Sequence, residues 1–106
     1  MCRPPAEKRV RMMRFAERDY KAALAFAAGG GQGLHVFTGA AAHPGAPVCF
    51  KRSEGAAHLF DGNKGRLLAT AKALGVRRVK IELEGTDRQH VDLCGGPLRK
   101  AIGMCG

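Results

Sequence analysis

The residues with the types and spacing to do chemistry lie in the second half of the chain. His90 and Asp92 stand two apart in HVDL, so on a strand they share one face. His58 stands three residues before Asp61 in AAHLFD. Imidazoles and carboxylates brought together can hold a divalent cation or move a proton. His58 and His90 are therefore the candidate catalytic residues. Asp61, His90 and Asp92 are the candidate ligands of a metal ion such as Mg²⁺ or Mn²⁺, with Glu82 and Glu84 as further carboxylates. Each has a plainer reading: Asp61 as a helix cap, His58 as a packed core residue, the rest as solvated sheet charges.

The elements that must position these groups run from Ala56 to Pro97. AAHLF reads as a short strand. Asp61 then caps a helix from about Asn63 to Leu74, with Leu67, Leu68, Ala71 and Leu74 at helical spacing and Gly75 just past its end. In VRRVKIELE, Val79, Ile81 and Leu83 alternate with charged residues, which predicts a half-buried strand. A turn at residues 85–89 and a returning strand HVDL complete a hairpin. The simplest register pairs Glu84 with His90 and Glu82 with Asp92, placing all four polar side chains on one face. Pro97 opens a short helix to about Ile102, whose start, near Arg99 and Lys100, could receive a phosphate.

Upstream, Val10, Met13, Ala16, Tyr20, Leu24 and Ala27 form an apolar stripe, which predicts a basic helix over Glu7–Ala28. Gly29-Gly30-Gly31-Gln32-Gly33 matches no nucleotide-binding loop and reads as a linker. The expected division is a basic helix and linker over 1–33, then a small α/β domain over 34–106. In that domain LHVFTGA and VCFKR read as strands, and His35 and His43 are two more imidazoles able to join a metal site.

The chain has 106 residues and a net charge of +9. The excess is spread out, +4 over residues 1–33 and +5 over the remainder. A surface of that sign suits nucleic acid or another polyanion. The basic residues that would meet it are Arg11, Arg14 and Arg18 on the first helix, and Arg77, Arg78 and Lys80 on the strand. No transmembrane span is apparent, and the AALAFAA run is too short and too close to charge to act as a signal peptide. Cys2, Cys49, Cys94 and Cys105 have no metal-finger or secreted-scaffold spacing, so reduced thiols and a cytoplasmic location are expected.

The segment from about Ala57 to Ala101 resembles a small uncharacterised family of bacterial and phage proteins. The resemblance rests on His58, Asp61, Leu67-Leu68-Ala69, Leu74-Gly75, His90-Val91-Asp92 and Arg99-Lys100-Ala101. Two departures stand out. Family members tend to begin with a strand bearing paired aspartates, which LHVFTGA lacks, and Val91 stands where an aromatic is usual. The resemblance implies a fold more than an activity.

These readings predict an α/β (α+β) domain. It has a mixed sheet of four or five short strands, a right-handed strand–helix–strand crossover from Ala56 to Leu83, a C-terminal hairpin and packed helices. The leading functional expectation is a nucleic-acid or polyanion binding module. The alternatives are a divalent-metal-dependent hydrolase, such as a phosphodiesterase, built on the His/Asp cluster, and a non-catalytic interaction protein, with homo-oligomerisation open.

Overall fold

The computed structural model describes residues 11–38, 45, 47–51 and 55–105. Four strands form one mixed sheet in chain order: β1 (Met12–Phe15), β2 (Gln32–Phe37), β3 (Ala56–Phe60) and β4 (His90–Cys94). β1 runs parallel to β2, and β2–β3 and β3–β4 are antiparallel. Three α-helices pack on the sheet: α1 (Tyr20–Ala28), α2 (Lys64–Ala73) and α3 (Gly95–Met104). The expected α/β class and mixed sheet are what the chain adopts.

The two faces of the sheet differ in chemistry. Leu34, Leu59, Val91 and Leu93 point to one side and meet Leu67 and Ala71 of α2, Leu74 at its C-cap, and Leu98 and Ala101 of α3. Alternation sends His35, His58, His90 and Asp92 to the other side. There Ala23 and Ala27 of α1 bury Phe60, with Phe15, Tyr20 and Leu24 around them.

The basic N-terminal helix is not formed as expected. Residues 12–15 are a strand, Glu17–Asp19 make one 3₁₀ turn, and the α-helix begins only at Tyr20. Residues 1–10, where the expected helix begins, lie outside the described residues. Ladder pairing with β2 overrides the helical stripe here, as tertiary contacts override propensity elsewhere. Glu17 adds a local reason, because its carbonyl accepts from His35 Nε2 at 2.7 Å instead of serving a helix. The glycine segment is likewise no free linker. Gly33 lies in β2 under α1, where a Cβ would come 2.6 Å from the Ala23 carbonyl oxygen. The expected division after residue 33 thus falls inside a strand.

The parallel crossover exists, but at β1–α1–β2 rather than over Ala56–Leu83. The helix expected from Asn63 is α2, and its cap is Asn63, whose side chain accepts from the Arg66 N–H at 3.0 Å. The Leu74–Gly75–Val76 exit closes it with Gly75 at φ 94° and Val76 N–H bonded to the Ala71 carbonyl. VRRVKIELE is not a strand. Glu82 alone bridges to His90, two residues out of the expected register. Val79 and Ile81 still pack against the core, so the alternation reports burial of extended coil. Leu83, at φ 51°, and Gly85, at φ 82°, turn the chain off before a ladder can grow. Of the expected strand VCFKR, Val48–Lys51 form a 3₁₀ turn instead, and Arg52 lies outside the described residues.

Cys49 in that turn is disulfide-bonded to Cys94 at the end of β4. This corrects the expectation of reduced thiols for that pair, while Cys105 is free. Strand pairing accounts for the bond: it brings Cys94 at the end of β4 beside the Val48–Lys51 turn although the two cysteines are 45 residues apart, a proximity invisible in linear spacing.

Candidate metal centre

The polar face is organised by cross-strand pairing. His35 on β2 lies opposite His58 on β3, and His58 lies opposite Asp92 on β4. His90 comes one side-chain step along β4, opposite Phe60. His58, His90 and Asp92 consequently offer three ligand atoms within 4.8 Å of one another. His58 Nε2 is 3.7 Å from Asp92 Oδ1, and His90 Nε2 is 3.2 Å from the same oxygen.

Hydrogen bonding fixes which nitrogen of each ring is bare. A carbonyl can only accept, so a ring nitrogen bonded to one carries the proton. His90 Nδ1 donates to the Arg88 carbonyl at 2.7 Å, leaving Nε2 as the lone-pair atom of the neutral ring. His35 Nε2 donates to the Glu17 carbonyl, leaving its Nδ1 bare. That atom lies 3.4 Å from His58 Nδ1, which must be the donor of the pair. His58 Nε2 is then bare as well. Both free lone pairs and the Asp92 carboxylate converge on one point. When His90 is protonated its Nε2–H donates to Asp92 Oδ1, 3.2 Å away, which helps raise its pKa; beside the neutral ring that buried oxygen has no hydrogen-bond partner.

Aromatic rings hold the imidazoles in place. Phe37 packs at a tilt against His58 at a centroid distance of 4.7 Å, Phe60 meets His90 at 5.3 Å, and Tyr20 meets His35 at 5.3 Å. The two imidazoles themselves meet edge to face with centroids 4.7 Å apart, and their pKa values move in opposite directions. Burial, reinforced by the nearby His90 and His35, pushes His58 down to about 4 despite the attraction of Asp92. Burial also acts against charge on His90, but Asp92, the Arg88 carbonyl and Glu82 outweigh it and raise its pKa. The site is reachable from solvent: the Asp92 side chain is 38% exposed and that of His58 29%.

The other residues singled out in the sequence lie elsewhere. Asp61 does not join the group. Its fully buried carboxylate takes both Arg66 Nε at 2.8 Å and Arg66 Nη2 at 2.6 Å. It also accepts from Gln32 Nε2 and from the Asn63 N–H. It is neither a site ligand nor the side-chain cap of α2, but the hub of a core-edge polar network. Glu84 pairs with Lys64 at 2.7 Å, and Glu82, its side chain beside Lys80, meets His90 through the backbone bridge and adds its charge there. His43 lies outside the described residues. Arg11, Arg14, Arg18, Arg77, Arg78 and Lys80 are all exposed, Arg14 on β1 and Arg18 in the 3₁₀ turn rather than on a shared helix. His35, mentioned in the sequence only as one more imidazole, is the partner that orients His58. The signal for that role was the β2–β3 register, which no local pattern encodes.

No family model matches the chain, and neither does any curated protein or solved structure. What the site can do therefore follows from its own geometry.

Proposed function

We propose that the protein is a metal-dependent hydrolase whose centre is held by His58 Nε2, His90 Nε2 and one oxygen of Asp92. The observation that carries this reading is the convergence of two bare imidazole nitrogens on a buried carboxylate oxygen that lacks a partner. A single proton, placed on His90, relieves only part of that repulsion. A divalent cation satisfies all three donors. Two imidazoles favour zinc, iron or another first-row transition ion over the Mg²⁺ that a carboxylate cluster would suggest. Three protein ligands leave room for water, the arrangement of catalytic rather than closed structural zinc sites. Such an ion lowers the pKa of bound water and polarises a substrate oxygen. With one carboxylate among the ligands the loaded site keeps a net positive charge, which suits an anionic substrate.

A titration of the apo protein with Zn²⁺, Mn²⁺ and Co²⁺, beside Asp92→Ala and His90→Ala, tests this. Wild type should bind at least one ion with a raised melting temperature, and both variants should lose the shift. A folded wild type that binds none of them would end the proposal.

A second reading keeps the binding-module expectation. The exposed run Arg77, Arg78 and Lys80 and the net charge of +9 support contact with nucleic acid or another polyanion. Affinity that falls steeply with salt is its signature, and weak, salt-independent binding would count against it. Kinship with the uncharacterised bacterial and phage family over residues 57–101 is also a proposal. On compartment, among the described residues no helix is long and apolar enough to cross a membrane. The cytoplasmic location expected from the sequence competes with the Cys49–Cys94 bond, which favours an oxidising compartment. Self-association is a further proposal, tested by the mass of the protein in solution.

A further inference from the structure

Asp61, expected from the sequence as a ligand, is tied up in a buried network, but that network reaches the proposed centre by another route. Gln89 is 5% exposed and stands one residue before His90. Its side-chain amide spans two segments: Nε2 donates to the Asp61 carbonyl at 2.9 Å, and Oε1 accepts from the Gly85 N–H at 2.9 Å. Asp61 is a firm anchor for it. Its own N–H donates to the Gln89 carbonyl at 3.3 Å, and its carboxylate is clasped by Arg66 and Gln32.

The turn that Gln89 closes carries the carbonyl that orients His90. The Gln89 N–H donates to the Thr86 carbonyl at 3.2 Å. That N–H and the Arg88 carbonyl belong to one planar peptide unit, so fixing the first aims the second. The Arg88 carbonyl in turn accepts from His90 Nδ1 at 2.7 Å. Thr86 secures the other side of Arg88, its Oγ1 accepting from the Arg88 N–H at 3.1 Å.

The geometry points to Gln89 as a positioning residue for the centre: it holds the Arg88–Gln89 peptide plane in the orientation that keeps a proton on His90 Nδ1 and the lone pair on Nε2. The inference rests on the metal-centre reading above and gives the Asp61 network a part in it. Without the two amide bonds the Asp61 carbonyl and the Gly85 N–H lose these partners, and the turn loses its side-chain tie to the end of β3. The Arg88 carbonyl then has no fixed direction, and either nitrogen of the neutral His90 ring can carry the proton. An ion must then select the ring form with Nε2 bare before it binds, which weakens ligation in the way that loss of an outer hydrogen bond to a metal-bound imidazole does.

The experiment uses the full chain and two readouts, the nitrogen NMR shifts of His90 in the metal-free protein and the affinity for zinc. At a pH where His90 is neutral, its two ring nitrogens in wild type should give the well-separated shifts of a single tautomer protonated at Nδ1. Gln89→Met keeps the length of the side chain and removes both of its bonds. It should draw those shifts together and weaken zinc binding about tenfold. Thr86→Val takes away the acceptor of the Arg88 N–H at an exposed position that the fold tolerates. It should change the shifts in the same direction and weaken zinc about threefold to tenfold. Asn63→Ala uncaps α2 without removing a bond of the turn. It should leave the shifts unchanged and zinc affinity within about twofold of wild type. A folded Gln89→Met with unchanged shifts, or with unchanged zinc affinity, overturns the proposal; if that variant does not fold, the same result in Thr86→Val overturns it. Equal losses in Asn63→Ala would overturn it too, since they would report general loosening. Failure of zinc to bind wild type would end the metal-centre reading, and the shifts of the metal-free protein would still decide whether Gln89 sets the His90 tautomer.

Discussion

His35 supplies no ligand atom to the proposed centre, yet it decides how His58 presents itself. Its bare Nδ1 faces the His58 Nδ1–H at 3.4 Å, and its own N–H is spent on the Glu17 carbonyl. Partners that orient a metal-bound imidazole typically contribute 10- to 100-fold in affinity. His35→Phe should therefore retain zinc binding but weaken it by about tenfold or more, read by competition with a chelator. An unchanged affinity would show that His58 is held by its aromatic neighbours alone. The histidines also set a pH dependence in the apo protein. His58 has a native pKa of about 4, against 6.5 for an unperturbed ring. Between those values the unfolded chain binds a proton there that the native chain refuses, so stability falls as pH drops from 6.5 toward 4. His90 has the opposite sign: its raised pKa adds stability that is fully present below 6.5 and is lost as pH rises through the native value. Melting temperatures of apo wild type should decline through the acid window, and His58→Gln should flatten part of that decline. Zinc must displace the proton held by His90, so its affinity should begin to fall while the pH is still above 6.5.

At the scale of elements, the seat of α1 on β2 is the tightest point of the polar face. Ala23 approaches Gly33 so closely that a Cβ at residue 33 would come 2.6 Å from backbone. Gly33→Ala should force α1 outward and cost about 1–3 kcal/mol in urea unfolding, while Asn63→Ala should cost about 1 kcal/mol by uncapping α2. If Gly33→Ala melted like wild type, α1 would be free to re-seat. The helices α2 and α3 and the strand β3 were legible because each carries its own local signature: the stripe with a glycine exit, the proline at the first turn, the short apolar run. So were three of the residues that now meet, His58, His90 and Asp92, because histidines near carboxylates are conspicuous. What the sequence hid was pairing. Residues 12–15 fit a helical stripe as well as a strand, and only the β2 ladder decides between them. VRRVKIELE alternates like a strand although Glu82 alone is bridged. Asp61, which precedes a helix like a cap, is drawn off by Arg66 and Gln32, groups five and twenty-nine residues away. Period and capping are local; partner choice is not.

Across the whole molecule, the Cys49–Cys94 bond closes a 45-residue loop, and His58, His90 and Asp92 all lie inside it. A crosslink of that span restrains the unfolded chain and stabilises by about 2–4 kcal/mol. A metal bound by the same loop restrains it in another way, adding about 2.7 kcal/mol when free metal is a hundred times its dissociation constant. The two act on the same segment, so each should matter most when the other is absent. The Cys49→Ser, Cys94→Ser double variant, free of metal, should unfold at distinctly lower urea than apo wild type. Free zinc at a hundred times its dissociation constant should restore most of that loss, because the ligands come from β3 and β4, which remain paired whether or not the 3₁₀ turn is tied down. Urea titrations of both proteins with and without zinc give the four stabilities needed. A variant that no longer responds to zinc would mean that the disulfide fixes the position of Asp92, and the bond would then belong to the site as well as to the scaffold.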